Sequence, residues 1–427
     1  MEAWEKIKKI FKLRDLRYKI LFVFAMLVIF RAIAAIPVPG VNTSQLQRFF
    51  ENNQLFGLLN VFSGAGMDNF SLVMMGVGPY ITSSIVMQLM TVIIPTVEKW
   101  YREEGEMGRR KFQQVTRVLT VPFALIQSYG MITLFKSQNV INNLQGLELA
   151  RTILIVTAGT LLLMWIGELI TEKGIGNGTS LIIFAGIVAN IPNAVRQIGA
   201  TWDSSQIFSY AIFVVVSILV IAGVVFVTEG QRNIPVTYAR RVSGRGMVSS
   251  NSYLPLRVNQ AGVIPIIFAM SILLFPNMIA NFLGVIGSDQ VKAVWMKVAA
   301  FMQDQWVYGI MYFGLVVAFT YFYTTVTFEP TKVGENLQKQ GGYIPGVRPG
   351  RSTAEYLAKI LNRITLAGAL FLGTIAVLPY IIQGFTHIQT MSIGGTSLLI
   401  AVSVALDSMK QIDSQLVMRD YDGFLKG

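Results

Sequence analysis

Nucleophilic catalysis needs a base within reach of the nucleophile. This sequence has one histidine, His387, and no cysteine. Ser63 in SGAG and Ser180 in GNGTS sit in glycine-rich settings, yet neither has a histidine at a suggestive spacing. The same counts leave no thiolate, no disulfide framework, no cysteine metal site and no multi-histidine metal centre. There is no HExxH and no Walker phosphate loop. GIGNG, at 174–178, resembles a phosphate cradle, but it lacks the Lys-Ser/Thr ending and joins two apolar runs rather than a strand and a helix. A tight turn suits it better, because glycine reaches positive φ without steric cost. Arg31, Glu168 and Asp407 are ionisable residues inside apolar runs. Each lies near a run end, where snorkelling or local pairing accommodates a charge. A proton-coupled transporter of small solutes, the main rival class, would carry deeper carboxylates. The sequence predicts no catalytic residue, no metal and no cofactor.

The elements that must position these residues are apolar. Hydrophobic residues make up 53% of the 427, charged residues 14%, and the mean hydropathy is +0.55. Soluble domains carry roughly 25% charged residues. Ten apolar runs recur, at 20–36, 74–95, 118–135, 152–170, 179–195, 207–228, 261–283, 307–327, 364–383 and 393–412. Each approaches the ~20 residues that span a bilayer as helix. The first follows a charged stretch, contains Arg31 and has no clear small-residue cleavage site, so it reads as a retained span. The second and tenth are the most polar: Gly76, Gly78, Pro79, Thr82, Ser83, Ser84 and Gln88 interrupt the one, Asp407 and Lys410 the other. Lipid cannot satisfy such groups, so these two helices are expected to face an interior.

Of the 35 Lys and Arg residues, 28 fall on the side of the N-terminus if the ten runs alternate across a bilayer. This positive-inside bias predicts an even number of spans with both termini cytoplasmic. It also accounts for much of the net charge of +12. Two long basic cytoplasmic loops, 229–260 and 329–363, carry TEGQRNIPVTYARR and GGYIPGVRPGRS. They either only set topology or, being longer and richer in Pro and Gly than topology needs, are shaped to meet a partner. A five-plus-five division, 1–195 and 196–427, permits an inverted pair of halves.

Nine strings in order across nearly the whole chain are similar to one family: FRAIAAIPVPG, NVFSGAGMDNFS, MGVGPYITSSIVMQLM, EGEMGRRKFQQVTR, ITEKGIGNGTSLIIFAGIVANIP, EGQRNIPVTYARR, LPLRVNQAGVIPIIFA, YIPGVRPGRSTAEYL and GGTSLLIAVSVALDSM. The chain resembles the SecY family, the channel subunits of the protein-export translocon. The resemblance implies an all-α integral membrane protein with ten transmembrane helices in two five-helix halves around a central hourglass pore. Unfolded secretory chains would cross through the pore, and apolar segments would leave sideways into lipid. It implies a pore ring of Val77, Ile81, Ile183, Ile187, Ile267 and Ile400, and a plug at 60–71 that includes Ser63, Gly64, Gly66, Asp68 and Asn69. It implies a lateral gate between helices two and seven, with Thr82, Gln88, Asn259 and Phe275. Arg240, Arg241 and Arg348 map to partner-docking loops. The partners implied are SecE-like and SecG-like small membrane subunits, the SecA ATPase or the ribosome, signal sequences and nascent polypeptides, and membrane lipid, with no DNA. With no nucleotide motif in the chain, a partner would supply the energy. The bacterial plasma membrane is the expected location.

Overall fold

A backbone in lipid must satisfy its own N–H and C=O groups, so apolar runs of this length fold as helices. The computed structural model describes residues 13–38, 70–137, 146–200, 207–242, 246–273, 304–386 and 394–425, with isolated positions between 276 and 301. In chain order the helices are α1 (Arg14–Ala34), α2 (Gly78–Ile93), α3 (Pro95–Arg102), α4 (Gly105–Ser137), α5 (Leu147–Lys173), α6 (Gly178–Ala200) and α7 (Ile207–Glu229). They continue with α8 (Ile264–Leu273), α9 (Gln305–Thr327), α10 (Pro330–Lys339), α11 (Arg351–Thr386) and α12 (Gly394–Leu425). Every apolar run carries one of these helices, and the protein is a mainly helical membrane protein. Among the described residues, four helical stretches are long and apolar enough to cross a membrane: Gly105–Lys136, Leu147–Lys173, Trp306–Lys339 and Arg351–Ile382. The pair α2–α3, bent by 108° at Ile94–Pro95, adds a fifth if taken as one broken span.

Proline accounts for that bend. Pro95 occupies the first turn of α3, where its missing N–H is harmless, and Ile94 before it is held extended. A second departure lies at the start of the second run. Its helix begins at Gly78 rather than 74, with Pro79 in its first turn. Ahead of it, residues 70–77 form consecutive turns, closed by hydrogen bonds from the N–H groups of Met74, Gly76 and Gly78 to the carbonyls of Ser71, Val73 and Met75. Gly76, at φ 56°, permits that path.

The helices share one apolar body. Helix α4 packs against α2, α3 and α5, α5 against α6 and α1, α9 against α11, and α12 against α6, α7 and α11. Outside it stands a three-stranded sheet that the apolar pattern did not announce. Strands β1 (Gln231–Val242) and β2 (Gly246–Arg257) pair antiparallel from Gln231↔Arg257 to Val242↔Gly246. Strand β3 (Gly342–Tyr343) pairs with the other edge of β1 through Thr237↔Tyr343 and Tyr238↔Gly342. Ile234, Val236 and Leu256 from the hairpin pack with Leu337, Ile344, Leu357 and Ile360. The two long basic loops are therefore one unit with its own core.

Candidate functional site

Four helices bring the aliphatic residues together. Val77 caps α2 and Ile81 follows one turn later; the Ile81 N–H donates to the Val77 carbonyl at 3.0 Å, so the pair stacks on one face. Ile183 and Ile187 repeat that spacing on α6, and α8 and α12 supply Ile267 and Ile400. All six belong to a single buried cluster, with Val77, Ile183 and Ile400 only 1% exposed. The cluster also takes in Phe30 of α1, Leu163 of α5 and Phe319 of α9, so the six are the meeting point of a larger core. Their side chains offer no hydrogen bond to any ligand. Branched at Cβ, they are stiff, and they pack into a surface that excludes water. Such a surface can seal by dewetting and can yield to an apolar or extended chain without favouring one sequence.

The approach to α2 is irregular backbone inside protein. The Phe70 ring is fully buried, edge-on to Phe135 of α4 with centroids 5.6 Å apart. The Phe70 carbonyl accepts the Val38 N–H at 2.9 Å, and the Leu72 N–H donates to the Ile36 carbonyl at 3.1 Å. Helix α5 comes so close that a Cβ on Gly159 would collide with the Leu72 carbonyl oxygen. Non-helical backbone at membrane depth survives only where protein or a cavity surrounds it. Of the plug positions, Ser63, Gly64, Gly66, Asp68 and Asn69 lie outside the described residues.

The residues that the resemblance assigns to a gate have separate surroundings. Thr82 is buried against α4, where its Oγ1 accepts from Gln127 Nε2 at 3.2 Å, and neighbouring Ser83 donates to the Thr116 carbonyl at 2.6 Å. Both bonds tie α2 to α4. Gln88 has a buried Oε1 with no partner. Asn259 sits in the turn ahead of α8 rather than on a helix; its Nδ2 donates to the Gly262 carbonyl at 3.2 Å and its Oδ1 is buried without a partner. Phe275 lies outside the described residues. Gln127 was absent from the sequence-based site, since a buried amide on an apolar helix gives no sign of its partner.

On the basic face, Arg240 and Arg241 stand on β1, opposite Val248 and Met247 in the register. Arg348 is exposed between Gly346 (φ 81°) and Gly350 (φ 94°), and its carbonyl accepts the Thr353 hydroxyl at 2.8 Å. The loop is thus held in one shape while the guanidinium stays available to a partner. The period-two alternation of Ile234, Val236 and Tyr238 was the available signal for a strand. The GIGNG turn is no phosphate cradle: the Gly176 N–H is taken by Gln411 Oε1 at 2.7 Å and the Gly178 N–H by Thr171 Oγ1 at 2.8 Å. A Cβ on Gly178 would collide with the Gly167 carbonyl oxygen, which explains that glycine. Glu168 is locally paired with Arg117 at 2.6 Å, and Lys410 with Glu229 at 2.9 Å. None of these contacts assembles a nucleophile with a base.

Comparison with known proteins gives a family and a fold. A family model described as SecY matches residues 71–409. The protein translocase subunit SecY of Halalkalibacterium halodurans is 45% identical over 98% of this chain and 99% of its own. That of Thermotoga maritima is 41% identical over 99% of this chain and 98% of its own. A solved protein-conducting channel superimposes with a TM-score of 0.62 at 18% identity, covering 92% of this chain and 90% of that one. Canine Sec61, solved in a ribosome–channel complex from the endoplasmic reticulum, gives 0.59 at 17% identity, over 92% and 90%. These two likenesses concern the fold.

Proposed function

The chain belongs to the SecY family, and from that premise we infer that it is the protein-conducting channel subunit of a translocase, not an enzyme. Unfolded secretory polypeptides pass through it, and transmembrane segments leave it sideways into lipid. The observation that carries the reading is the convergence of Val77, Ile81, Ile183, Ile187, Ile267 and Ile400, from four helices, in one buried aliphatic cluster. Near-full-length identity with translocase subunits supports it.

The finer assignments follow from the same reading. The six aliphatics form the pore ring, residues 60–71 the plug, and Thr82, Gln88, Asn259 and Phe275 the gate. Residues 1–195 and 196–427 are the two halves, each with five spans. The chain lies in the bacterial plasma membrane with both termini cytoplasmic, so the sheet and Arg348 face the cytoplasm. SecE-like and SecG-like subunits flank it. SecA or the ribosome docks on the face that carries Arg240, Arg241 and Arg348. Arginine suits both partners, because its fork binds carboxylate and phosphate alike. The solved canine complex, in which a channel of this fold meets a ribosome, supports the second.

The test uses the absence of cysteine from the sequence. The variant Ile187→Cys, reconstituted with its partner subunits, is exposed to a stalled secretory chain carrying a thiol-reactive probe. Crosslinking that requires an intact signal sequence supports the channel. An active preparation whose introduced thiol never reacts with the chain would return the solute-transporter reading to first place.

A further inference from the structure

Arg102 ends α3, and its Nη1 is held between two carboxylates: Glu98, one turn back at 3.2 Å, and Glu329, distant in sequence at the corner between α9 and α10. Both partners of the distant pair are largely shielded, with the side chains 22% and 19% exposed. Glu329 stands at the N-cap of α10 but makes no side-chain capping bond. Its second oxygen instead meets Lys332 at 3.0 Å.

The bodies on either side of this contact are each fastened by apolar packing. Helix α3 belongs with α2 and α4: Val97 packs with Met87 and Phe112, and the Tyr101 and Phe112 rings lie 5.2 Å apart. Helix α10 belongs with α11 and the sheet, through Leu337 against Leu357 and Ile344. Deeper in the molecule the two bodies meet in the shared aliphatic core; at this end the charge pair joins them. A different junction at the same end of the molecule is built from other material. There Leu16 of α1, Ile175 of the GIGNG turn and Leu416 of α12 form an apolar cluster, beside the uncharged bond from the Gly176 N–H to Gln411. Apolar burial is not screened by salt as an ion pair is. A single ion pair is directional and breaks when its partners separate by a few ångströms.

We propose that Arg102 and Glu329 form a releasable clasp between the two halves at the cytoplasmic end of the gate, and that the strength of this clasp sets how good a signal must be to open the channel. The proposal rests on the two-half channel reading given above. Arg102 and Glu329 act as positioning residues, since neither touches the pore ring. The Leu16–Ile175–Leu416 junction is the side that stays together while the other parts. Because α10 leads through β3 directly to Arg348, a partner that presses on Arg348 moves the backbone carrying the Glu329 carboxylate. Docking and release are thereby joined mechanically.

The test is export by the reconstituted translocase of two preproteins, one with an intact and one with a weakened signal. Arg102→Gln and Glu329→Gln are each expected to raise weakened-signal export about three- to tenfold relative to intact-signal export, the range for losing a half-buried charged contact. The double variant is expected to exceed neither single, because both remove one interaction. The converse uses Arg102→Cys with Glu329→Cys in the cysteine-free chain. A short bis-maleimide tether should abolish export of the intact-signal preprotein, while either single Cys treated alike exports normally. Additive or silent Gln variants, or a tethered protein that exports at the untethered rate, would overturn the clasp while wild-type export stands. A wild-type preparation that exports neither preprotein would overturn the channel reading itself.

Discussion

Replacing Ile400 with Asn puts the sealing role of the aliphatic cluster at risk most directly. Ile400 is 1% exposed on α12 and shares its core with Val77, Ile81, Ile183, Ile187 and Ile267. Burying a side chain of that size is worth ~1.5–3 kcal/mol. An amide set in the same place without partners costs a further ~1–3 kcal/mol. Water drawn to the amide relieves the second cost but wets the constriction, so either way the sealed arrangement loses ground to the open one. Taking ~2 kcal/mol as the net loss, the open-to-sealed ratio rises about 30-fold at ~1.4 kcal/mol per decade. In proteoliposomes this should appear as a raised ion leak, and in export assays as passage of preproteins with defective signals. Ile400→Leu keeps the volume and the apolar surface and should leave both near wild type. An Ile400→Asn protein that inserts normally, leaks no more than wild type and still rejects defective signals would refute the ring.

Other outcomes follow from single contacts. Gly178→Ala drives a Cβ into the Gly167 carbonyl oxygen; with backbone on both sides the penalty is ~3 kcal/mol, and the protein should fail to accumulate, whereas Gly199→Ala, with open space around it, should accumulate normally. Gln127→Leu and Thr82→Val each remove the 3.2 Å bond between α4 and α2; each should cost ~0.6 kcal/mol in thermal melts and the pair should be non-additive. Arg348→Glu reverses charge on an exposed loop and should block motor-driven export with the protein still inserted; normal export would remove the docking role from that arginine. Ile344→Ala deletes a 2% exposed side chain from the sheet core and should cost ~2–4 kcal/mol locally, read as faster proteolysis of the 329–363 loop.

The helical frame was legible because lipid leaves a backbone few choices. The apolar runs and the helices agree to within a few residues at most ends, and the GIGNG turn falls between α5 and α6 as its glycines require. The largest differences are polar extensions of the helices beyond the runs, α4 starting at Gly105, α11 at Arg351 and α12 ending at Leu425; the later start at the second run has its own physical cause: Val73, Met74 and Met75 look as apolar as any span, but Gly76 turns the chain and Pro79 sets the helix start. The sheet was hidden for another reason. Ile234 and Val236 alternate as a strand should, yet their partner Ile344 is remote in sequence and β3 is two residues long. Composition also could not foresee that Thr82 turns toward Gln127, or that Arg102, one of many cations in the sequence, finds Glu329.

Phe70 and Ser71 are the described end of the segment proposed as the plug. Phe70 has a positive φ of 45°, a strained conformation for a bulky residue. It is held there by full burial against Phe135 and by the bridge between Pro37 and Ser71. Residues 71–77 then run, as mostly buried turns, straight into Val77 and the first turn of α2. A few hydrogen-bonded turns connect Phe70 to Val77, and the bonds of Thr82 and Ser83 tie α2 to α4. Phe70, Val77 and the body that carries α3 are thus joined by packed backbone. Under the proposed function, a chain that moves the proposed plug would act through these elements on the pair formed by Arg102 and Glu329.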